Sequence, residues 1–163
     1  MLADCGLRAM EIRGIKFLDV KDTTILVNGK GNKQRVVFIS PALKKILIKY
    51  ERMRAQYFKE VTLKSDSPYF LTYLGTMLSN VALYNVIIEA GKRAGIEGVR
   101  VSPHTFRHFY SIQSLMSGKL DIYSLCRLLG HSDISVTQNY LQSLTDEQLI
   151  AKAVASSPLM NLR

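Results

Sequence analysis

Apolar residues recur along this chain at intervals of three and four, interrupted once by two short β-branched runs, so the pattern predicts a mainly helical α+β protein with one small hairpin. Residues around 6–13 read as helical, and Asp19–Thr23 as a turn into a first strand, Thr24–Asn28. A second strand, Gln34–Ile39, follows Gly29-Lys30-Gly31-Asn32-Lys33, giving a hairpin with a basic, glycine-rich tip. A third strand would extend it to a three-stranded sheet. Ser40-Pro41 starts a helix ending near Phe58, its buried stripe expected at Leu43, Ile46, Leu47 and Tyr50. Residues 61–78 mix Ser, Asp, Pro, Gly and aromatics without periodicity and read as a structured loop.

The second half is punctuated by cap residues. Ser79 opens a helix to about Ala94, and Ser102-Pro103 starts another, with Phe109, Ile112 and Met116 expected on its buried side. Asp121 caps a short helix that Gly130 stops, Ser135 opens one carrying Tyr140, and Thr145-Asp146-Glu147 begins the last, to about Ala155. At 163 residues one compact domain is the default.

Composition narrows the partners. With 47% hydrophobic and 21% charged residues the chain is an ordinary globular sequence, and no apolar run reaches the ~18 residues of a membrane span. A cytoplasmic, nucleoid-associated protein without a membrane partner is expected. Cys5 and Cys126 lie far apart without metal-ligand spacing and read as plain thiols. The net charge of +9 favours a polyanion, nucleic acid first. Residues 1–60 hold 13 Lys+Arg against 6 Asp+Glu, a net of +7, so the DNA face is expected there, although single residues such as Lys44, Lys45, Lys49, Arg52 and Arg54 read equally well as a solvated helix side.

Candidate chemistry sits in four segments. In Ser102-Pro103-His104-Thr105-Phe106-Arg107-His108, His104 and Arg107 share a face of a helix's first turn, where backbone N–H groups and the dipole favour an anion. The same pair reads as a local cap and an ion pair. Gly130 leaves His131 on a loop within Leu128-Leu129-Gly130-His131-Ser132, nine residues before Tyr140. Arg8 follows Gly6 at the start of a helix, with Glu11 three residues on. The hairpin tip supplies Lys30, Lys33 and Arg35. His104 and His108 have the i, i+4 spacing of a zinc helix, but Arg107 between them and Thr at 105 disfavour a cation. No metal and no cofactor are expected.

Taken in order, GLRxxE, GKGNKxR, SPHxxRH, LLGHS and Tyr140 resemble the tyrosine recombinase (phage integrase) family over residues 6 to 141. The resemblance implies an integrase-like catalytic domain filling residues 1–163, and site-specific recombination of a mobile element, integration or excision, through a 3′-phosphotyrosyl intermediate. It implies double-stranded DNA as substrate and a tetramer on that DNA. Carried over, it makes Arg8, Lys30, His104, Arg107, His131 and Tyr140 the catalytic set, Glu11 a supporting acid, and Lys33 and Arg35 DNA contacts. Arg8 and Arg107 would hold the two non-bridging oxygens, His104 would take the phenol proton, Lys30 would protonate the leaving 5′-oxygen, and His131 would donate to a phosphate oxygen. His108 reads as a structural brace.

Tyr110 departs from the family, which usually has a small residue there. Members normally carry further helices before the first arginine and an N-terminal DNA-binding domain, so the chain is expected to be truncated at its N-terminus. The C-terminal segment, the helix from Thr145 to about Ala155 with the tail Leu159-Met160, is expected to pack on an adjacent protomer, the alternative being a helix folded back on its own domain. Two alternatives remain: a non-catalytic DNA-binding relative, and a strand-swivelling enzyme like the type IB topoisomerases.

Overall fold

A computed structural model describes residues 1–29, 31, 33–142 and 144–155. Lys30 lies outside these, as do Leu159 and Met160 of the expected docking tail. Among the described residues the elements run α1 (Leu2–Cys5), α2 (Ala9–Gly14), a 3-10 turn (Phe17–Asp19), β1 (Thr24–Asn28), β2 (Gln34–Phe38), α3 (Pro41–Tyr57), α4 (Asn80–Arg93), α5 (Pro103–Met116), α6 (Ile122–Leu129), α7 (Ser135–Gln142) and α8 (Asp146–Ala155). The fold is the mainly helical α+β one expected. Its contacts divide it into two compact units, Met1–Arg107 and one beginning at His108, with the division inside α5.

In the first unit the hairpin is antiparallel and pairs Ile25 with Val37 and Val27 with Arg35. Alternation sends Ile25, Val27 and Val37 into the core and leaves Val36 and Phe38 exposed. The described sheet has two strands, and the third strand is replaced by single bridges, Lys16 to Pro68 and Leu71 to Met77. The Ser40 hydroxyl accepts the Leu43 N–H at 3.1 Å to start α3, and the Ser79 hydroxyl accepts the Ala82 N–H at 3.0 Å to start α4. The loop at 61–78 is ordered by aromatics: Tyr69 is fully buried against Tyr50, Phe70 and Phe17, and its N–H donates to the Ile15 carbonyl at 2.8 Å.

Three readings need correction. Residues 6–13 are not one helix, because Gly6 takes a left-handed conformation (φ 61°) that ends α1 before α2 begins. Ile46 is 64% exposed, since α3 buries Leu43 and Leu47; further along the helix the Arg54 guanidinium lies 4.8 Å over the Phe17 ring. Phe109 is 52% exposed; Ser111, Ile112 and Leu115 form the buried face of α5.

The second unit has its own core of Ile112, Leu115, Leu125, Leu129, Tyr140 and Leu144, with Tyr110, Met116 and Ile122 against it. Asp121 starts α6 by accepting the Ser124 N–H at 2.9 Å. Gly130, at φ 67°, ends it. Among the described residues, no helix is long and apolar enough to cross a membrane.

Candidate active site

The turn from Gly6 to Arg8 organises the first group. Because Gly6 turns the chain left-handed, the next residues enter α2 from an extended Arg8 (φ −77°, ψ 155°) whose N–H is open to a cap. Glu11, one turn on, supplies it: Oε2 accepts the Arg8 N–H at 2.8 Å and Oε1 accepts the Arg8 Nη1 at 2.9 Å. Arg35 closes on the same carboxylate from β2 as a two-pronged fork, Nη1 to Oε1 at 2.7 Å and Nη2 to Oε2 at 2.8 Å. The Glu11 side chain is 4% exposed, Arg35 13% and Arg8 40%. Burial by itself would raise the Glu11 carboxyl pKa. The hydrogen bonds from Arg35 and Arg8 outweigh it and hold the carboxyl at about 2.

Arg107 reaches the same turn from α5. Its Nη1 donates to the Gly6 carbonyl at 2.6 Å, and the residue is buried at 4% exposure. Ser102 caps this helix by accepting the Thr105 N–H at 3.2 Å, so Arg107 stands near its first turn, with His104 exposed ahead of it. The Arg8 guanidinium is thereby held by Glu11, and the Arg107 guanidinium, from a distant part of the chain, by the carbonyl two residues before Arg8. The Gly29 N–H donates to the Lys33 carbonyl at 2.8 Å across the hairpin tip, and Lys33 is exposed there.

The second unit positions His131 and Tyr140. The left-handed Gly130 directs its N–H to the Arg127 carbonyl and the His131 N–H to the Cys126 carbonyl, both at 3.1 Å, which fixes the histidine directly beyond α6. Its Nδ1 lies 2.8 Å from Thr137 Oγ1. The His131 and Tyr140 rings stack with centroids 6.3 Å apart and planes 21° apart. His108 tilts against Tyr140 with ring centroids 5.4 Å apart. Tyr140 is 7% exposed within the apolar cluster of this unit.

Sequence reasoning missed Thr137, a β-branched residue in a short helix with nothing in its spacing to set it apart. The pairing of Arg35, a residue expected at the DNA, with Glu11 was not foreseen. An arginine on a half-exposed strand gives no local sign of which carboxylate it will meet. Among the described residues no group of three His, Cys, Asp or Glu side chains is placed to hold a metal.

The phage integrase family model matches residues 1–147. The chain is 33% identical over 159 residues to tyrosine recombinase XerC of Caldanaerobacter subterraneus subsp. tengcongensis, covering 98% of this chain and 43% of that protein. It is 33% identical over 164 residues to tyrosine recombinase XerA of Saccharolobus solfataricus, covering 96% and 50%. It thus spans about half the length of these relatives. The crystal structure of XerA recombinase is similar with a TM-score of 0.82 at 29% identity, over 96% of this chain and 56% of that one.

Proposed function

The chain belongs to the phage integrase family, and on that premise we propose that it breaks and rejoins double-stranded DNA through a covalent bond between Tyr140 and a 3′-phosphate. The observation that carries this reading is the fastening of Arg8 and Arg107 to one turn, Arg8 through Glu11 and Arg107 through the Gly6 carbonyl. Attack on a phosphodiester builds charge on two non-bridging oxygens, and fixed guanidinium forks stabilise that charge without reorganising as it develops. The net charge of +9 supports the same polyanionic substrate.

In this mechanism the Tyr140 oxygen attacks phosphorus and the bond to the 5′-oxygen breaks. A phenol ordinarily keeps its proton at neutral pH, so a base must receive it, and His104 has that role. Lys30 gives a proton to the departing 5′-oxygen, and His131 donates a hydrogen bond to the phosphate. Rejoining to a new 5′-hydroxyl reverses these steps. The phosphotyrosyl bond conserves the energy of the cut, so no nucleotide is consumed. Glu11 supports Arg8, Arg35 holds Glu11, and Lys33 meets the DNA backbone. The product is a site-specific recombinant, the integration or excision of a mobile element, made by a tetramer on DNA at the nucleoid.

The test is covalent capture. The wild-type chain and Tyr140→Phe are incubated with nicked, fragmented genomic DNA of the source organism, and protein linked to DNA is scored after denaturation. An adduct that disappears in the Phe variant supports the reading. DNA binding without any adduct would replace it by a non-catalytic DNA-binding module.

A further inference from the structure

Three contacts with described residues hold His131. Its backbone N–H is tied to the Cys126 carbonyl at 3.1 Å, its ring face stacks on Tyr140, and its Nδ1 is 2.8 Å from the hydroxyl of Thr137. The first two leave the choice of ring proton open. The third bears on it, because Thr137 is fully buried at 0% exposure. A buried hydroxyl must place its proton on an acceptor or bear the cost of leaving it unpaired. Among the described residues, the side-chain partner of Thr137 is His131 Nδ1.

We infer that Thr137 is a positioning residue for His131: its hydroxyl donates to Nδ1, fixes the plane of the ring against Tyr140 and leaves the ring proton of the neutral imidazole on Nε2. This assignment rests on the phosphotyrosyl reading above for its purpose, since only the Nε2–H tautomer gives a neutral His131 a donor on the side away from Thr137. Were the proton on Nδ1, Nε2 would offer a phosphate oxygen a lone pair, which repels it. Thr137 and Tyr140 stand three residues apart on α7, so they share a helix face. One short helix therefore carries both the nucleophile and the tether of the phosphate donor. Asp133, which accepts the Ser135 N–H at 2.9 Å, sets where that helix begins.

The experiment has two arms on the full chain. The first is independent of activity: nitrogen-15 spectra of the imidazole rings, recorded where the rings are neutral, with the His131 signals assigned by their loss in His131→Gln. The wild type should show a bare Nδ1 and a protonated Nε2 at His131. Thr137→Val, which keeps the shape and removes the hydroxyl, should show a mixture of tautomers, and Thr137→Ser should restore the wild-type pattern. A wild-type ring with its proton on Nδ1, or a Val variant with the wild-type pattern, overturns the inference. Should the Val variant fail to fold, the wild-type and Ser spectra still decide.

The second arm is the covalent capture assay, in which Thr137→Val should slow adduct formation about tenfold, what one hydrogen bond of ordinary net strength carries, while Thr137→Ser stays near wild type. A wild type that shows the Nε2–H tautomer but forms no adduct overturns the recombinase reading and leaves the tether standing. An adduct formed equally well by wild type and Val variant overturns the tether and leaves the recombinase reading standing.

Discussion

Glu11→Gln puts the arginine network to a quantitative test. The substitution keeps the shape of the side chain and removes the negative charge that receives Arg8 and Arg35. Burial opposes the carboxylate, yet the hydrogen bonds from Arg35 and Arg8 lower its pKa from an ordinary 4.5 to about 2. At ~1.4 kcal/mol for each tenfold change in proton affinity, that difference corresponds to about 3 kcal/mol of stability at neutral pH. The Arg8 side chain is 40% exposed and its share is screened by water, so the expected loss in Glu11→Gln is about 2 kcal/mol. The sign of the pH dependence follows from the lowered value. The contribution is complete above the unfolded carboxyl's pKa near 4.5 and is lost as pH falls from there toward 2. Urea titrations read by amide hydrogen exchange in α2 and β2 confine the measurement to the first unit. The wild type should exceed the variant by about 2 kcal/mol at pH 7, with less than half of that gap left at pH 3. A gap below about 0.5 kcal/mol at pH 7, or one that does not change with pH, would refute the reasoning.

Further outcomes follow from the same geometry. Arg107→Ala should cut covalent adduct formation by about 10²–10³ and cost about 1–3 kcal/mol in urea unfolding, because the buried Gly6 carbonyl loses its donor. An adduct rate within threefold of wild type would remove Arg107 from the chemistry. Gly91→Ala should destabilise the first unit by about 1–3 kcal/mol, since the added Cβ would stand 2.8–3.1 Å from three side-chain atoms of Val101. Trimming that neighbour in the double variant Gly91→Ala, Val101→Ala should recover part of the loss, and thermal unfolding that shows no recovery would place the strain elsewhere.

How far the chain could be read depended on the range of the interaction concerned. Helix starts at Ser40, Ser79 and Asp121 were legible because a cap bonds an N–H three residues away, within the same few residues that form the pattern. The hairpin was legible for the same reason, its two strands lying on either side of a short glycine-rich tip. The ordered motifs, read together, pointed to the family that the comparisons bear out over residues 1–147. Side chains whose partners lie far along the chain were not legible. The face of α3 that is buried carries Leu43 and Leu47 into the core of the first unit, and Ile46 faces water although its spacing fits the core. The role of Arg35 depended on a carboxylate 24 positions away, and the Gly6 carbonyl that anchors Arg107 lies 101 positions from it. Thr137 became distinguishable from an ordinary helical threonine only when α6, Gly130 and α7 had folded His131 back to within 2.8 Å of its hydroxyl. Periodicity and capping are local and act through backbone geometry that neighbouring residues share. The pairing of charges and hydroxyls is decided by the packing of the elements, which the order of residues determines without displaying.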